Sequence, residues 1–150
     1  MVQEYKTHFF EMKITGNKNY WIFKIDHQIC IHNIRIFGIY EDDWIKIEPD
    51  GWITIKATKK RPYAWDGCTP KFAFLDIVFG TPDGIVNPLT GKPKTYLASM
   101  FHDALYQFAP RDLVTRKQVD LMMLDEMKRN KFKLAKLYYL GIRAFGWIYW

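Results

Sequence analysis

The chain has little sulfur chemistry to offer. Its two cysteines, Cys30 and Cys68, are too few for a disulfide framework, and their spacing matches no zinc pattern. His8, His27 and His32 also stand at no metal-like spacing and read as surface or structural residues. No stretch is apolar for long enough to span a bilayer: the longest near the C-terminus, Leu137 to Trp150, is short and broken by Arg143. Met1 opens onto the polar run Val-Gln-Glu-Tyr-Lys-Thr, which is not the pattern of a secretory signal. Internal repeats and low-complexity segments are missing too. These absences predict a protein made and folded in a reducing cytoplasm, with no transmembrane segment.

Aromatic residues, by contrast, are abundant. At 17% they favour large flat contacts in a core, an interface or a membrane surface. The length of 150 residues suits one domain able to bury a core without staples. A net charge of +6 points to acidic partners. The cations gather at Lys56, Lys59, Lys60 and Arg61, and again at Lys128, Arg129, Lys131, Lys133 and Lys136. Each group reads either as a solvated face or as a contact for phosphate-rich partners, lipid headgroups or nucleic acid. Nucleic acid rests on charge alone.

The residues up to about 62 read as β-rich. Tyr20 to Ile25, Ile29 to Tyr40, Trp44 to Glu48 and Trp52 to Thr58 carry β-branched and aromatic residues in near alternation. Gly16-Asn17, Asp42-Asp43 and Pro49-Asp50-Gly51 supply turns, the last predicting a hairpin. Arg61 to Lys71 reads as loop, where Gly67 permits close backbone approach and the Asp66 carboxylate could line a pocket. Phe72 to Phe79 reads as an apolar strand or a short buried helix. Gly80 to Pro93, with its prolines and glycines, reads as an exposed loop.

From about Thr95 the pattern turns helical. A first helix to Ala109 is stopped by Pro110. Thr115 and Gln118 have the form of a capping box opening a second helix. The short link Pro110 to Val114 predicts an antiparallel hairpin. A third helix, Leu134 to Trp150, follows the polar break at Lys128 to Lys133, with Gly141 and Gly146 allowing close packing; its aromatic face reads most simply as core, the alternative being a membrane-surface role, because aromatics and cations coexist there.

His102 and Tyr106 share one face of the first helix. At about 1.5 Å per residue, His102 lies about 12 Å before Pro110 and Asp120 about 7 to 8 Å after Thr115. A closed hairpin can therefore bring Asp120 to His102, with Asp103 pointing in a neighbouring direction. A histidine oriented by one carboxylate, beside a second that can take a cation, is equipped to act as a general base on water. The plainer alternative is a satisfied polar pair in a core, with Tyr106 a core residue or a donor to Asp120.

Four motifs taken together resemble a family of tailed phages and prophages known only as a domain of unknown function. They are Asp66-Gly67-Cys68-x-Pro70, His102-Asp103-x-Leu105-Tyr106, Val119-Asp120-x-x-Met123 and the Gly-x-x-x-x-Gly-Trp segment from Gly141 to Trp147. The resemblance runs from about Tyr63 to the C-terminus. The helix pair also resembles the catalytic core of phospholipases A2. That likeness implies His102 as the general base, Asp120 as its orienting carboxylate, Tyr106 as a donor to Asp120, and Asp103 as a calcium ligand. It also implies a calcium loop at Tyr63 to Cys68, including Asp66 and Gly67. This loop has a single glycine, and the superfamily's helix-bridging disulfides are missing.

The expected fold is thus α+β, an N-terminal antiparallel β region packed on a C-terminal three-helix group that contains the hairpin. The expected function is calcium-assisted hydrolysis of a (phospho)lipid ester by a phage-encoded protein. The alternative is a catalytically silent structural or interaction component of the virion, contacting other phage proteins in the host cytoplasm or the particle.

Overall fold

The computed structural model describes residues 10–11, 21–65, 87–148 and 150. Alternating isoleucines build the larger sheet. Ile29 and Ile31 in β3 (Ile29–His32), Ile45 and Ile47 in β5 (Ile45–Ile47), and Ile53 and Ile55 in β6 (Trp52–Ile55) are all buried, while Cys30, His32 and Trp52 face solvent. With β4 (Tyr40–Glu41) these strands form an antiparallel sheet in the order β3-β6-β5-β4. A second antiparallel sheet has the order β1-β2-β7, from β1 (Phe10–Glu11), β2 (Trp21–Ile25) and β7 (Tyr63–Trp65).

The expected turns form by identifiable bonds. The Asp42 carboxylate accepts from the backbone N–H groups of Trp44 and Ile45, each at 2.7 Å. The β5–β6 hairpin closes through Gly51, whose φ of +90° favours glycine and whose missing Cβ would lie 2.8 Å from the Asn33 carbonyl oxygen.

Two β segments differ from expectation. The run from Ile29 does not continue to Tyr40, because Asn33 turns the chain out of the sheet: its N–H donates to the Gly51 carbonyl at 2.9 Å, and its side-chain oxygen accepts from the Arg35 N–H at 2.9 Å. Tyr63 to Trp65, expected as the start of a loop, is a strand paired antiparallel with β2, so that Tyr63 faces Ile25 and Trp65 faces Phe23. Aromatic stacking explains this, since Trp65 lies on Tyr63 and Phe23 with ring centroids 5.9 and 5.5 Å apart. The Gly16-Asn17 turn, Asp66, Gly67, Cys68 and the segment Phe72 to Phe79 lie outside the described residues.

Helix α1 (Tyr96–Phe108) ends where expected. Ala109 is extended, with ψ of 135°, as the residue before a proline prefers. Helix α2 (Arg116–Arg129) opens with the capping box of Thr115 and Gln118, both reciprocal bonds being present. It closes with a backbone motif that normally uses glycine. Lys131 sits at φ of +54°, its N–H donates to the Lys128 carbonyl at 2.9 Å, and the Phe132 N–H donates to the Met127 carbonyl at 3.0 Å. Helix α3 (Ala135–Phe145) is shorter than the expected Leu134 to Trp150, and a 3-10 turn, Gly146–Ile148, follows it.

The core is continuous between the sheets and the hairpin. Ile25, Ile45, Ile47, Ile53 and Ile55 pack in one cluster with Met100, Phe101 and Leu105 of α1 and with Val119 and Met122 of α2. A second cluster, including Ala98, Met123, Met127, Tyr138 and Ile142, seats α3 against the other side of the hairpin. The architecture is α+β, with an N-terminal antiparallel region packed on three C-terminal helices.

Lys131 gives the first prediction. A non-glycine residue in the left-handed region costs about 1 kcal/mol, and glycine removes that cost at the expense of a more flexible unfolded chain. Lys131→Gly should therefore stabilise the protein by about 0.5 to 1 kcal/mol. A urea midpoint equal to or below that of the wild type would contradict the assignment.

Candidate active site in the helix hairpin

The hairpin brings together the residues expected to meet. His102 and Tyr106 lie one turn apart on the α1 face that meets α2, with rings 4.1 Å apart. Asp120 faces them from the second turn of α2. The His102 Nε2 lies 3.0 Å from Asp120 Oδ1, and the Tyr106 hydroxyl donates to the same oxygen at 2.6 Å. Asp120 is completely buried and His102 is 4% exposed.

Sequence reading missed the third partner. Arg143, noticed only as an interruption of an apolar run, reaches in from α3 and donates from Nη1 to Asp120 Oδ2 at 2.8 Å. Both carboxylate oxygens are thereby engaged. The interruption was itself the signal, because a lone arginine on an otherwise apolar helix needs a counter-charge when part of it is buried. The arrangement extends outward: the Arg116 guanidinium donates to the Arg143 carbonyl at 3.2 Å. Gly146 lets the 3-10 turn approach, since a Cβ there would lie 2.9 Å from the Tyr106 hydroxyl. Trp150 packs edge-on against Tyr106, and Arg111 lies 3.6 Å over the Trp150 ring while donating to the Tyr106 carbonyl at 2.9 Å.

The two ring nitrogens of His102 have different surroundings. With both Asp120 oxygens acting as acceptors, Nε2 carries a proton and donates to Oδ1, so the neutral ring is basic at Nδ1. Among the described residues Nδ1 has no partner within hydrogen-bond distance, and the Asp103 carboxylate stands 3.6 Å from it, close enough to favour a proton there. Burial works against a charged imidazole, yet the Asp103 and Asp120 carboxylates outweigh it and raise the His102 pKa above its ordinary value. For Asp120, burial is outweighed by the hydrogen bonds from His102, Tyr106 and Arg143, which hold its pKa below the usual carboxylate range. Burial, aided by the Asp120 charge, pushes the Tyr106 hydroxyl far upward, which keeps it a donor.

Asp103 is the described candidate for a cation ligand. Calcium takes about 6 to 8 oxygens, and Asp120 has none to spare. Among the described residues no group of three or more His, Cys, Asp or Glu could hold a metal. Asp66 and Gly67, the other expected ligands, lie outside the described residues, and Asp103 alone does not make a calcium site. Of the cationic groups, Lys56 and Arg61 are drawn to the acidic turn instead of forming an open patch: Lys56 pairs with Glu41 at 2.6 Å and Arg61 with Asp43 at 3.2 Å.

What fold and site define is an α+β protein with a buried His–Asp–Tyr cluster between the two helices of a hairpin, joined by an arginine from the third helix. No protein-family model matches the chain, and no curated protein or solved structure does either.

Two measurements test the network. Arg143→Met leaves Asp120 buried with one charged partner fewer; because Arg143 is partly exposed, the expected loss is about 2 to 3 kcal/mol, below the full cost of breaking a buried pair. An unchanged urea midpoint would show that the ion pair contributes nothing. The pH dependence has a defined sign. A raised His102 pKa contributes stability that is complete below about pH 6.5 and lost as pH rises through the folded value. A lowered Asp120 pKa contributes stability present above about pH 3.9 and lost as pH falls through its folded value. In metal-free buffer the stability difference between wild type and His102→Gln should therefore be largest at about pH 4 to 6.5 and shrink on the alkaline side. A difference that grows with pH would refute the assignment.

Proposed function

We propose that this is a phage-encoded hydrolase acting on a (phospho)lipid ester, with His102 as the general base and Asp120 and Arg143 as its positioning residues. The observation that carries the reading is the division of labour on one imidazole. One nitrogen is committed to a buried carboxylate while the other, among the described residues, has no hydrogen-bond partner and faces a second carboxylate. A histidine that served packing alone would satisfy both nitrogens more cheaply.

Each step follows from the ring. Nδ1 takes a proton from a water molecule as the water oxygen bonds to the ester carbonyl carbon. The imidazolium is held by Asp120, whose own charge is balanced by Arg143 and by the Tyr106 hydroxyl. When the tetrahedral adduct collapses, the C–O bond to the alcohol breaks and Nδ1 returns its proton to the departing oxygen. The products are a carboxylic acid and an alcohol, and no serine or cysteine nucleophile is required. The calcium implied by the phospholipase resemblance would be held by Asp103 with Asp66 and the Gly67 backbone, and would supply Lewis acidity toward the developing oxyanion.

A second reading is favoured by the depth of the site. With Asp120 fully buried and His102 nearly so, the same bonds can serve as a staple in a catalytically silent virion or interaction protein. Fatty-acid release from phosphatidylglycerol–phosphatidylcholine vesicles, with calcium or with chelator, separates the two. The hydrolase reading expects turnover that falls by about 10²- to 10⁴-fold in His102→Ala while circular dichroism remains that of a folded chain. No release by the wild type with or without calcium would favour the silent protein. Dependence on calcium, or its absence, decides the role of Asp103.

A further inference from the structure

Helices at a protein surface usually present one apolar side, which they turn to the core. Helix α3 has two. Ala135, Tyr138 and Ile142 are buried against the hairpin. At about 100° per residue Leu137 and Leu140 fall on the opposite side, and the 3-10 turn that follows adds two more exposed apolar residues, Trp147 and Ile148. Leu140, Trp147 and Ile148 are 62%, 67% and 58% exposed. Lys136 stands at the N-terminal end of the same face, and Lys133 lies just before the helix; both are exposed.

The charges indicate what fits there. From Lys128 to Trp150 the sequence has no aspartate or glutamate. Arg129 and Arg143 are committed to Glu126 and Asp120, but among the described residues Lys133 and Lys136 have no ion-pair partner. Pairing this face with a second copy would desolvate those lysines against a surface carrying no counter-charge. An anionic bilayer supplies both requirements, headgroup phosphates for the lysines and an apolar boundary for the leucines and the tryptophan.

We propose that this outward face of α3 and its following turn seats on the surface of an anionic lipid bilayer. Leu137, Leu140, Trp147 and Ile148 enter the headgroup boundary, and Lys133 and Lys136 meet the phosphates. Tryptophan suits that depth because its ring is apolar and its N–H remains wet. No helix among the described residues is long and apolar enough to cross a membrane, so the contact is peripheral. The inference does not rest on the hydrolase reading, since a protein without activity would bind in the same way.

Cosedimentation of the full chain with vesicles of ether-linked lipids, which hold no ester to cleave, tests binding apart from turnover. Vesicles containing phosphatidylglycerol should retain at least about ten-fold more protein than phosphatidylcholine alone, and about 0.5 M salt should weaken that retention. The double variant Leu140→Ser, Trp147→Ser should reduce binding by about ten-fold with circular dichroism unchanged. Lys133→Glu with Lys136→Glu should remove the preference for the anionic lipid. Equal binding of wild type and the serine variant would overturn the proposal. So would a dimer, seen by sedimentation equilibrium without lipid, that Leu140→Ser dissociates, because the face would then belong to a second copy.

Discussion

A single buried carboxylate constrains this protein more than any other group. Asp120 has no exposed surface, so its charge is tolerable only with close donors, and it receives them from two other helices: His102 and Tyr106 of α1 and Arg143 of α3. Apolar packing between helices tolerates small slides. A carboxylate with fixed donors tolerates far less, because a displaced partner leaves a buried charge unsatisfied. The network therefore sets the register of the α1–α2 hairpin and the seat of α3 together, while Met100, Phe101, Leu105 and Met122 supply the bulk burial that holds the elements in contact.

Helix α2 carries a second buried acid with the opposite bias. Glu126 faces the β region, where the Asn33 amide donates to it at 3.0 Å and Arg129 at 2.8 Å. Burial dominates there and raises its pKa, whereas three donors to Asp120 lower that of its neighbour along the helix. The contrast assigns different roles to the two ends of one helix. The Asp120 end is electrostatically locked as a carboxylate. The Glu126 end fastens the turn after β3, with help from Arg35 on Asp125 at 2.8 Å, and from the Asp120 end Gln118 reaches the same turn, donating to the Arg35 carbonyl at 3.1 Å. Those two bonds tie the β region to α2 directly, in addition to the shared apolar core.

Local chemistry was the most legible part of the sequence. The capping box at Thr115 and Gln118, the stop before Pro110 and the hairpin at Gly51 each depend on residues within a few positions of one another, and each stands as read. The facing of His102 and Asp120 was also legible, because a short interhelix link leaves only a narrow range of registers. What escaped depended on distant partners. Asn33 ends β3 with one local bond, from the Arg35 N–H, but also with bonds to Gly51 and Glu126, which no short window of sequence contains. Tyr63 to Trp65 becomes a strand because β2 and the aromatic cluster are waiting for it. Arg143 looked like a flaw in an apolar run until α3 was placed beside Asp120. The α3 aromatic and aliphatic residues, expected as core, divide between two sides because the hairpin can cover only one.

Staple and catalyst draw on the same bonds, and so most of the network cannot discriminate between them. Burial of Asp120, the hydrogen bond from Tyr106 and the pairing with Arg143 would stabilise an inert core equally well. The asymmetry of His102 is different in kind. Stability alone does not account for raising the proton affinity of a buried imidazole whose Nδ1 has no hydrogen-bond partner among the described residues, since an unsatisfied buried polar atom costs about 1 to 3 kcal/mol. Asp103, next in sequence to His102, stands on the Nδ1 side with its nearest oxygen 3.6 Å away. Asp120 closes the Nε2 side of the ring, so a proton exchanged with water would be taken up at Nδ1.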